Sequence, residues 1–324
     1  MRDQYQRQIE YLRISITDRC NLRCSYCMPA QGVQWMPSGE ILSYEEILRI
    51  ARLSVSLGFN KFRVTGGEPL LRKGVLGFLK QLASLEGVKD LTLTTNGILL
   101  PDMAAQLKDA GVKRLNISLD TLDPAKFAAI TRGGELTRVL AGIKQSIEVG
   151  FAPVELNVVV MRGFNDNNLT DFVALAQEYP LHIRFIELMP IGTGAEQNSA
   201  LVTVAEMRQK LAYLKLTPTE AVQGAGPAQC YSAPELQGSI GFISAISQHF
   251  CTQCNRVRLT ADGKLKPCLH SATEYDLKAA LRAGVSDAEV KEAIAEAVLL
   301  KPSQHHMLTQ GWDGQTRGMS QIGG

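Results

Sequence analysis

"YLRISITDRCNLRCSYCMP", residues 11–29, decides the fold. Its first half reads as a strand in which Leu12, Ile14 and Ile16 share one face and Arg13, Ser15 and Thr17 share the other. Cys20, Cys24 and Cys27 follow at C-x3-C-x2-C spacing. They sit just past the carboxyl end of that strand, which is where α/β folds place their ligands.

Five more runs resemble the first strand, over 61–66, 90–95, 114–120, 154–160 and 182–187. Helical patterns lie between them, at 43–58, 75–86, 101–110, 135–149 and 168–178. The helix at 43–58 opens with a capping box, Ser43 with Glu46, and closes at Gly58. This rhythm predicts βα units around a parallel sheet. Six units are visible where a closed barrel needs eight. The expected fold is therefore α/β, an incomplete (βα)6 TIM-type barrel whose C-terminal extension closes the barrel mouth; a doubly wound open sheet is the alternative. Residues 1–195 form the expected barrel and 196–324 the C-terminal region, with helical patterns at 203–212, 274–283 and 286–300.

Parallel strands buried on both faces should be almost continuously apolar. These alternate instead. Arg63 and Thr65 oppose Phe62 and Val64; Thr92 and Thr94 oppose Leu91 and Leu93; Asn116, Ser118 and Asp120 oppose Leu115, Ile117 and Leu119; Arg184 opposes Ile183 and Phe185. The apolar set can pack under the helices. The polar set must face a solvated cavity or a polar ligand, because burying it unpaired is costly. The plainer reading, one sheet face open to water, suits antiparallel sheets better.

Composition narrows the classes. The 324 residues are 45% hydrophobic and 20% charged, and the formal net charge is +2. That is ordinary globular composition, and it gives no support to a general nucleic-acid-binding surface. No apolar run reaches the length of a membrane span and no secretory leader pattern opens the chain, so a cytoplasmic protein is expected. In a reducing compartment, seven cysteines are ligands or catalytic groups more readily than disulfides. Six of them fall in two triads, and Cys230 stands apart.

A closed structural zinc site takes four protein ligands, and cubane iron–sulfur clusters are held by four thiolates as a rule. Three thiolates leave a metal centre with one position for an outside molecule. The second triad, Cys251, Cys254 and Cys268, also lacks an obvious fourth ligand, with His270 the one alternative. Zinc with an exogenous ligand in the first triad and a zinc knuckle in the second remain the bland readings.

C-x3-C-x2-C after the first strand, an aromatic Tyr26 before the third cysteine and "GGEP" at 66–69 after the second strand together resemble the radical S-adenosylmethionine superfamily. "CTQCNRVRLTADGKLKPC" (251–268), "VVVMRGFNDNN" (158–168), "RFIELMP" (184–190) and the Gly323-Gly324 end narrow the resemblance, nearly end to end, to the GTP 3′,8-cyclases of molybdenum-cofactor biosynthesis. The resemblance implies two [4Fe-4S] clusters, on Cys20, Cys24 and Cys27 and on Cys251, Cys254 and Cys268. It implies S-adenosyl-L-methionine as co-substrate, held by Tyr26, Gly66, Gly67, Glu68, Pro69, Ser118 and Met189. The adenosyl radical abstracts hydrogen from C3′ of GTP, and closure onto C8 gives 3′,8-cyclo-7,8-dihydro-GTP.

The same resemblance places Arg13, Arg63, Thr94, Arg184, Arg256, Val257 and Arg258 at the substrate, and it gives Arg256, Arg258, Gly323 and Gly324 a part in the cyclisation. Guanidinium groups suit a triphosphate, although each arginine alone reads as a surface charge and Ser118 alone as an ordinary strand serine. Cyclic pyranopterin monophosphate synthase is the implied downstream enzyme, a flavodoxin- or ferredoxin-type protein the implied electron donor, and a homodimer is allowed. A radical enzyme acting on another substrate, such as a peptide, is the runner-up. One position departs from the family: the fifth strand reads "VELN", with Glu155 where a substrate-contacting lysine is usual. The expectation is that Glu155 points away, or that another group such as Arg162 compensates it, or that substrate affinity is weaker, and that Glu155→Lys tightens GTP binding. Cys230, His305 and His306 carry no expected role.

Overall fold

The computed structural model describes residues 1–191, 199–220, 226–307 and 317–323. Gly324, expected at the substrate, lies outside them. Six strands follow one another across the sheet in chain order: β1 (Tyr11–Ser15), β2 (Lys61–Thr65), β3 (Asp90–Thr95), β4 (Arg114–Ser118), β5 (Val154–Val160) and β6 (Leu181–Glu187). Each pairs in parallel with the next. The helices between them are α1 (Tyr44–Ser56), α2 (Val75–Ala83), α3 (Leu100–Asp109), α4 (Pro124–Thr131), α5 (Leu136–Glu148) and α6 (Leu169–Glu178), with α7 (Val204–Lys210) after β6. The α/β partial barrel expected from the alternation is the fold adopted, and its sheet is open.

The C-terminal third does more than the sequence suggests. After the short β7 (Thr217–Pro218) and β8 (Gln229–Ser232), β9 (Ser239–Ile243) adds in parallel to β6. β10 (Arg256–Leu259) adds in parallel to the opposite edge, against β1. Eight parallel strands thus run β10-β1-β2-β3-β4-β5-β6-β9. β8 and β7 continue the sheet antiparallel on one side, β11 (Lys264–Lys266) and β12 (Tyr275–Asp276) on the other. α8 (Leu277–Arg282) and α9 (Asp287–Leu299) complete the fold, and α9 packs beside α1.

The core lies between sheet and helices. Leu12, Ile14, Phe62, Val64, Leu91, Leu93, Leu115 and Ile117 are all buried in it, with Ile47, Ile50 and Ala51 of α1 packed from outside. α1 carries the capping box read from Ser43 and Glu46. α4 escapes a periodicity search because it is short and apolar nearly all round; Asp123 caps it and Pro124 fills its first position. Its last turn matters for the site, since the carbonyls of Ile130 and Thr131 accept from Ser25 and Arg23 in the cysteine loop.

At the β6–β9 junction, Phe185 packs between Phe172 and Phe242, with ring centroids 6.2 and 6.0 Å away. It is wholly buried. Phe185→Ala is expected to lower stability by about 3–5 kcal/mol through the cavity it leaves, read as a shift in denaturant midpoint, with Phe185→Leu losing markedly less.

Candidate active site

Alternation along parallel strands sends the polar set inward. One cavity of about 310 Å³ is lined by Arg13, Arg63, Thr94, Ser118 and Arg184 from the strand faces and by Cys20, Cys24, Tyr26 and Cys27 from the loop after β1. Gly66, Gly67 and Met189 reach it from the ends of β2 and β6, and Cys251, Cys254, Arg256, Arg258 and Cys268 from the C-terminal third. The structure therefore gathers the two triads, far apart in sequence, around one space.

The loop after β1 is held by backbone packing. Gly67 N donates to the Thr17 carbonyl and Glu68 N to the Arg19 carbonyl, each at 2.7 Å. A Cβ on Gly67 would lie 2.4 Å from the Arg19 oxygen, and one on Gly66 2.7 Å from the Thr17 oxygen. The two glycines are required by this close approach. Glu68 is fully buried and accepts from Leu70 N, Thr95 Oγ1 and Asn96 N. Burial pushes its carboxyl up to about 7 against those donors. Pro69 is buried at the start of a single 3-10 turn. Glu68 and Pro69 are thus placed under the loop and outside the cavity lining. Asn96 carries the link onward, donating to Asn21 Oδ1 at 2.8 Å and to Cys20 Sγ at 3.8 Å.

Tyr26 is tied down by Asp120, a residue sequence reading placed only on the polar face. The Tyr26 hydroxyl donates to Asp120 Oδ2 at 2.6 Å, and Val159 N donates to Asp120 Oδ1 at 2.8 Å. Burial raises the Asp120 carboxyl to about 6. Burial, joined by the nearby carboxylates and thiols, also pushes Cys20 to about 11 and Cys24 to about 12.

The lumen is crowded with positive charge. Arg63, Arg184 and Arg258 are buried, Arg13 is half-buried, and Arg256, also half-buried, lies over the rings of Tyr11 and Phe250. Nε of Arg13, of Arg63 and of Arg256 has no hydrogen-bond partner. Burial and the neighbouring arginines press the Arg13 pKa well down, and Arg258 falls to about 10 for the same reasons. Against Arg13, Arg63, Arg256 and Arg258 the described residues set no carboxylate in ion-pair contact; Arg258 Nη1 donates instead to the Gly323 carbonyl. That contact brings the tail inside. The short helix Met319–Ile322 precedes it, and Arg317 anchors the segment to Asp262 at 2.8 Å and to Glu274 at 3.0 Å.

Several expectations need correction. Glu155 does not turn away. It is 2% exposed and lies in register between Asn116 and His182 on the inward face. Its Oε2 is 2.8 Å from Arg184 Nη1, a close ion pair without hydrogen-bond alignment, and its Oε1 accepts from Arg114 Nη1 at 3.1 Å. Burial pushes its pKa up, yet Arg184, Arg63 and Arg114 hold it below the usual range. Arg162 does not compensate it, being turned outward to Glu206. Arg184 is correspondingly engaged, donating to Asn157 Oδ1 and Asn116 Oδ1 as well. Val257 belongs to the core, with its side chain fully buried away from the arginines on either side of it. Cys230 is not without partners: its sulfur is 3.7 Å from His182 Nε2. His305 lines the cavity and holds the Ala245 carbonyl at 2.9 Å. Lys301, which no motif flags, is buried beside the second triad.

The family model described as "Radical SAM superfamily" matches residues 14–176, and "Molybdenum Cofactor Synthesis C" matches 181–307. A GTP 3′,8-cyclase from Moorella thermoacetica is 51% identical over 325 residues, and one from Heliobacterium modesticaldum 49% over 327, each alignment covering all of both chains. The chain belongs to the GTP 3′,8-cyclase family. Among solved structures, Streptococcus suis SuiB bound to S-adenosylmethionine superposes with a TM-score of 0.61 at 17% identity, over 83% of this chain and 63% of that one. At that identity the likeness is one of fold.

The family uses S-adenosylmethionine and iron–sulfur clusters, and the residues fit them. All six cysteines are free thiols on the cavity wall. Among the described residues no three His, Cys, Asp or Glu side chains converge on one ion position, whereas three soft donors around a roomy cavity suit a multi-iron group. Among the described residues no helix is long and apolar enough to cross a membrane.

Two outcomes are expected. Glu155→Lys adds a cation to a buried cluster and removes its counter-charge, so it lowers stability by about 3–5 kcal/mol in thermal unfolding and does not improve nucleotide binding. Gly67→Ala displaces the loop and lowers the iron retained after reconstitution, whereas Gly77→Ala, where a methyl meets nothing within 4 Å, leaves it intact.

Proposed function

We infer that this protein is a radical S-adenosylmethionine lyase that converts GTP to 3′,8-cyclo-7,8-dihydro-GTP, the entry reaction of molybdopterin synthesis. The observation that carries the reading is the set of four arginines, Arg13, Arg63, Arg256 and Arg258, that share a cavity with two cysteine triads and, among the described residues, form no ion pair with a carboxylate; Glu155, whose charge reaches Arg63, is already paired with Arg184 and Arg114. Buried cations without acids need an anionic ligand, and a triphosphate supplies one. A neutral peptide would leave them unanswered.

In this reading residues 1–195 hold one [4Fe-4S] cluster on Cys20, Cys24 and Cys27 and the adenosylmethionine beside it. Residues 196–324 hold a second on Cys251, Cys254 and Cys268. The first cluster, when bound, supplies the electron that cleaves the adenosylmethionine sulfonium. The chain's own residues do the rest. Arg13, Arg63, Arg256 and Arg258 orient the phosphates. Thr94 Oγ1, on the cavity wall and lacking a partner, offers a hydrogen bond deeper in the lumen. Arg184, fixed by Glu155, Asn116 and Asn157, shapes the floor. The tail brings Gly323 against Arg258, so the arginine that meets substrate also positions the chain's end. The reading implies a cytoplasmic enzyme, a flavodoxin- or ferredoxin-type donor, and cyclic pyranopterin monophosphate synthase as consumer of the product.

Anaerobic incubation of reconstituted protein with S-adenosylmethionine, GTP and dithionite tests it by mass spectrometry. Deoxyadenosine with a GTP-derived isomer is expected. Arg256→Ala is expected to lower the isomer at least a hundredfold while the protein still binds adenosylmethionine. Deoxyadenosine with unaltered GTP would overturn the substrate assignment and leave the radical chemistry standing.

A further inference from the structure

Lys301 follows α9 and is 2% exposed. A lysine tolerates such burial only when its three donors are occupied and its charge is answered. Nζ donates to the Arg256 carbonyl at 2.9 Å and to the Pro267 carbonyl at 2.6 Å. These carbonyls lie on the two limbs of the second triad, one two residues after Cys254 and the other immediately before Cys268. The ammonium also lies close enough to Cys254 for its charge to act on that thiol. One side chain thus bridges limbs that are separated by an entire β-hairpin.

The lysine is itself held in place. Arg7, also buried, donates through Nη1 to the Cys251 carbonyl at 2.8 Å and the Ser303 carbonyl at 2.9 Å, and through Nη2 to the Pro302 carbonyl at 2.7 Å. Asp3 answers the charge of Arg7 at 2.6 Å. Nothing equivalent answers Lys301: among the described residues no carboxylate forms an ion pair with it, and its close neighbour Arg256 is another cation. The groups able to carry the opposing charge are the thiols of the triad. A cluster on three thiolates is net negative, and more so when reduced. A buried cation beside it is poorly screened.

We propose that Lys301 is the positioning residue of the second triad: its ammonium pins the two limbs in a ligating arrangement, and its charge raises the reduction potential of the iron–sulfur cluster they hold. The inference deepens the functional reading and rests on that triad binding a cluster. Sequence inspection gives no warning of it, because a lysine after a helix reads as a solvated end.

The test uses the reconstituted full-length protein. Iron per chain and the midpoint potential of each cluster are followed by paramagnetic resonance in an anaerobic redox titration, with Cys254→Ala marking the second cluster by its loss. If Cys254→Ala leaves iron unchanged, the cluster reading fails whatever Lys301 does. Lys301→Gln keeps a donor and loses the charge. The expected result is retained iron, an unshifted first cluster, and a second cluster several-fold less reduced than wild type at a fixed poise. Retained iron with an unshifted second potential overturns the proposal. Should Lys301→Gln lose the second cluster, Lys301→Arg decides: a cluster retained near its wild-type potential supports pinning by a cation, and a cluster lost there too overturns it.

Discussion

A guanidinium in an enclosed lumen with no acid paired to it gives up hydration that the protein returns only in part, and among the described residues four of them share this cavity. The rest of the architecture accommodates that constraint. The apolar faces of β1 to β6 are given wholly to the helices, so the core is complete without the lumen. The sheet stays open, leaving room for a ligand where a closed small barrel would be filled by side chains. Glu155 answers Arg184 and Arg114, which keeps the floor stable while the arginines nearer the triads remain uncompensated. The aromatic face of Tyr11 meets Arg63 and Arg256, a partial attraction that does not consume their donors.

The loops at the carboxyl ends of the strands are built with equal economy of parts. The Gly66-Gly67 pair allows the backbone of 17–19 to lie against β2's exit, and Glu68 ties that contact to β3 through Thr95 and Asn96. Asp120 joins β4 to the cysteine loop through Tyr26 and to β5 through Val159. The cysteines are therefore carried by a loop clamped to four strands. A flexible loop would lose entropy on each metal loading; a clamped one has already been ordered by folding.

Much of this was legible in the sequence, for local reasons. Period-two alternation exposed the polar lumen, and triad spacing marked the six cysteines that the cavity brings together. What escaped depends on contacts between distant segments. β9 and β10 are short, and their parallel pairing to β6 and β1 is visible only in three dimensions. Val257 was drawn into the site by its arginine neighbours, though the same alternation that turns Arg256 and Arg258 inward sends it to the core. Glu155 was judged against a family pattern as a stray charge, when its neighbours on β4 and β6 make it a counter-ion. Lys301 is unreadable locally because its acceptors are carbonyls at Arg256 and Pro267.

The two triads also differ in the charge that surrounds them. Burial with Asp120 and Glu68 nearby drives Cys24 and Cys20 up, to about 12 and about 11. At the second triad burial likewise raises Cys251, but at Cys254 Lys301 and Arg256 overcome it and bring that thiol down to about 7. Acidic surroundings resist added negative charge, and cationic surroundings accept it. One cavity thus carries opposite polarity at its two ends: the acids Asp120 and Glu68 stand behind the first triad, and the cations Lys301 and Arg256 stand against Cys254 of the second.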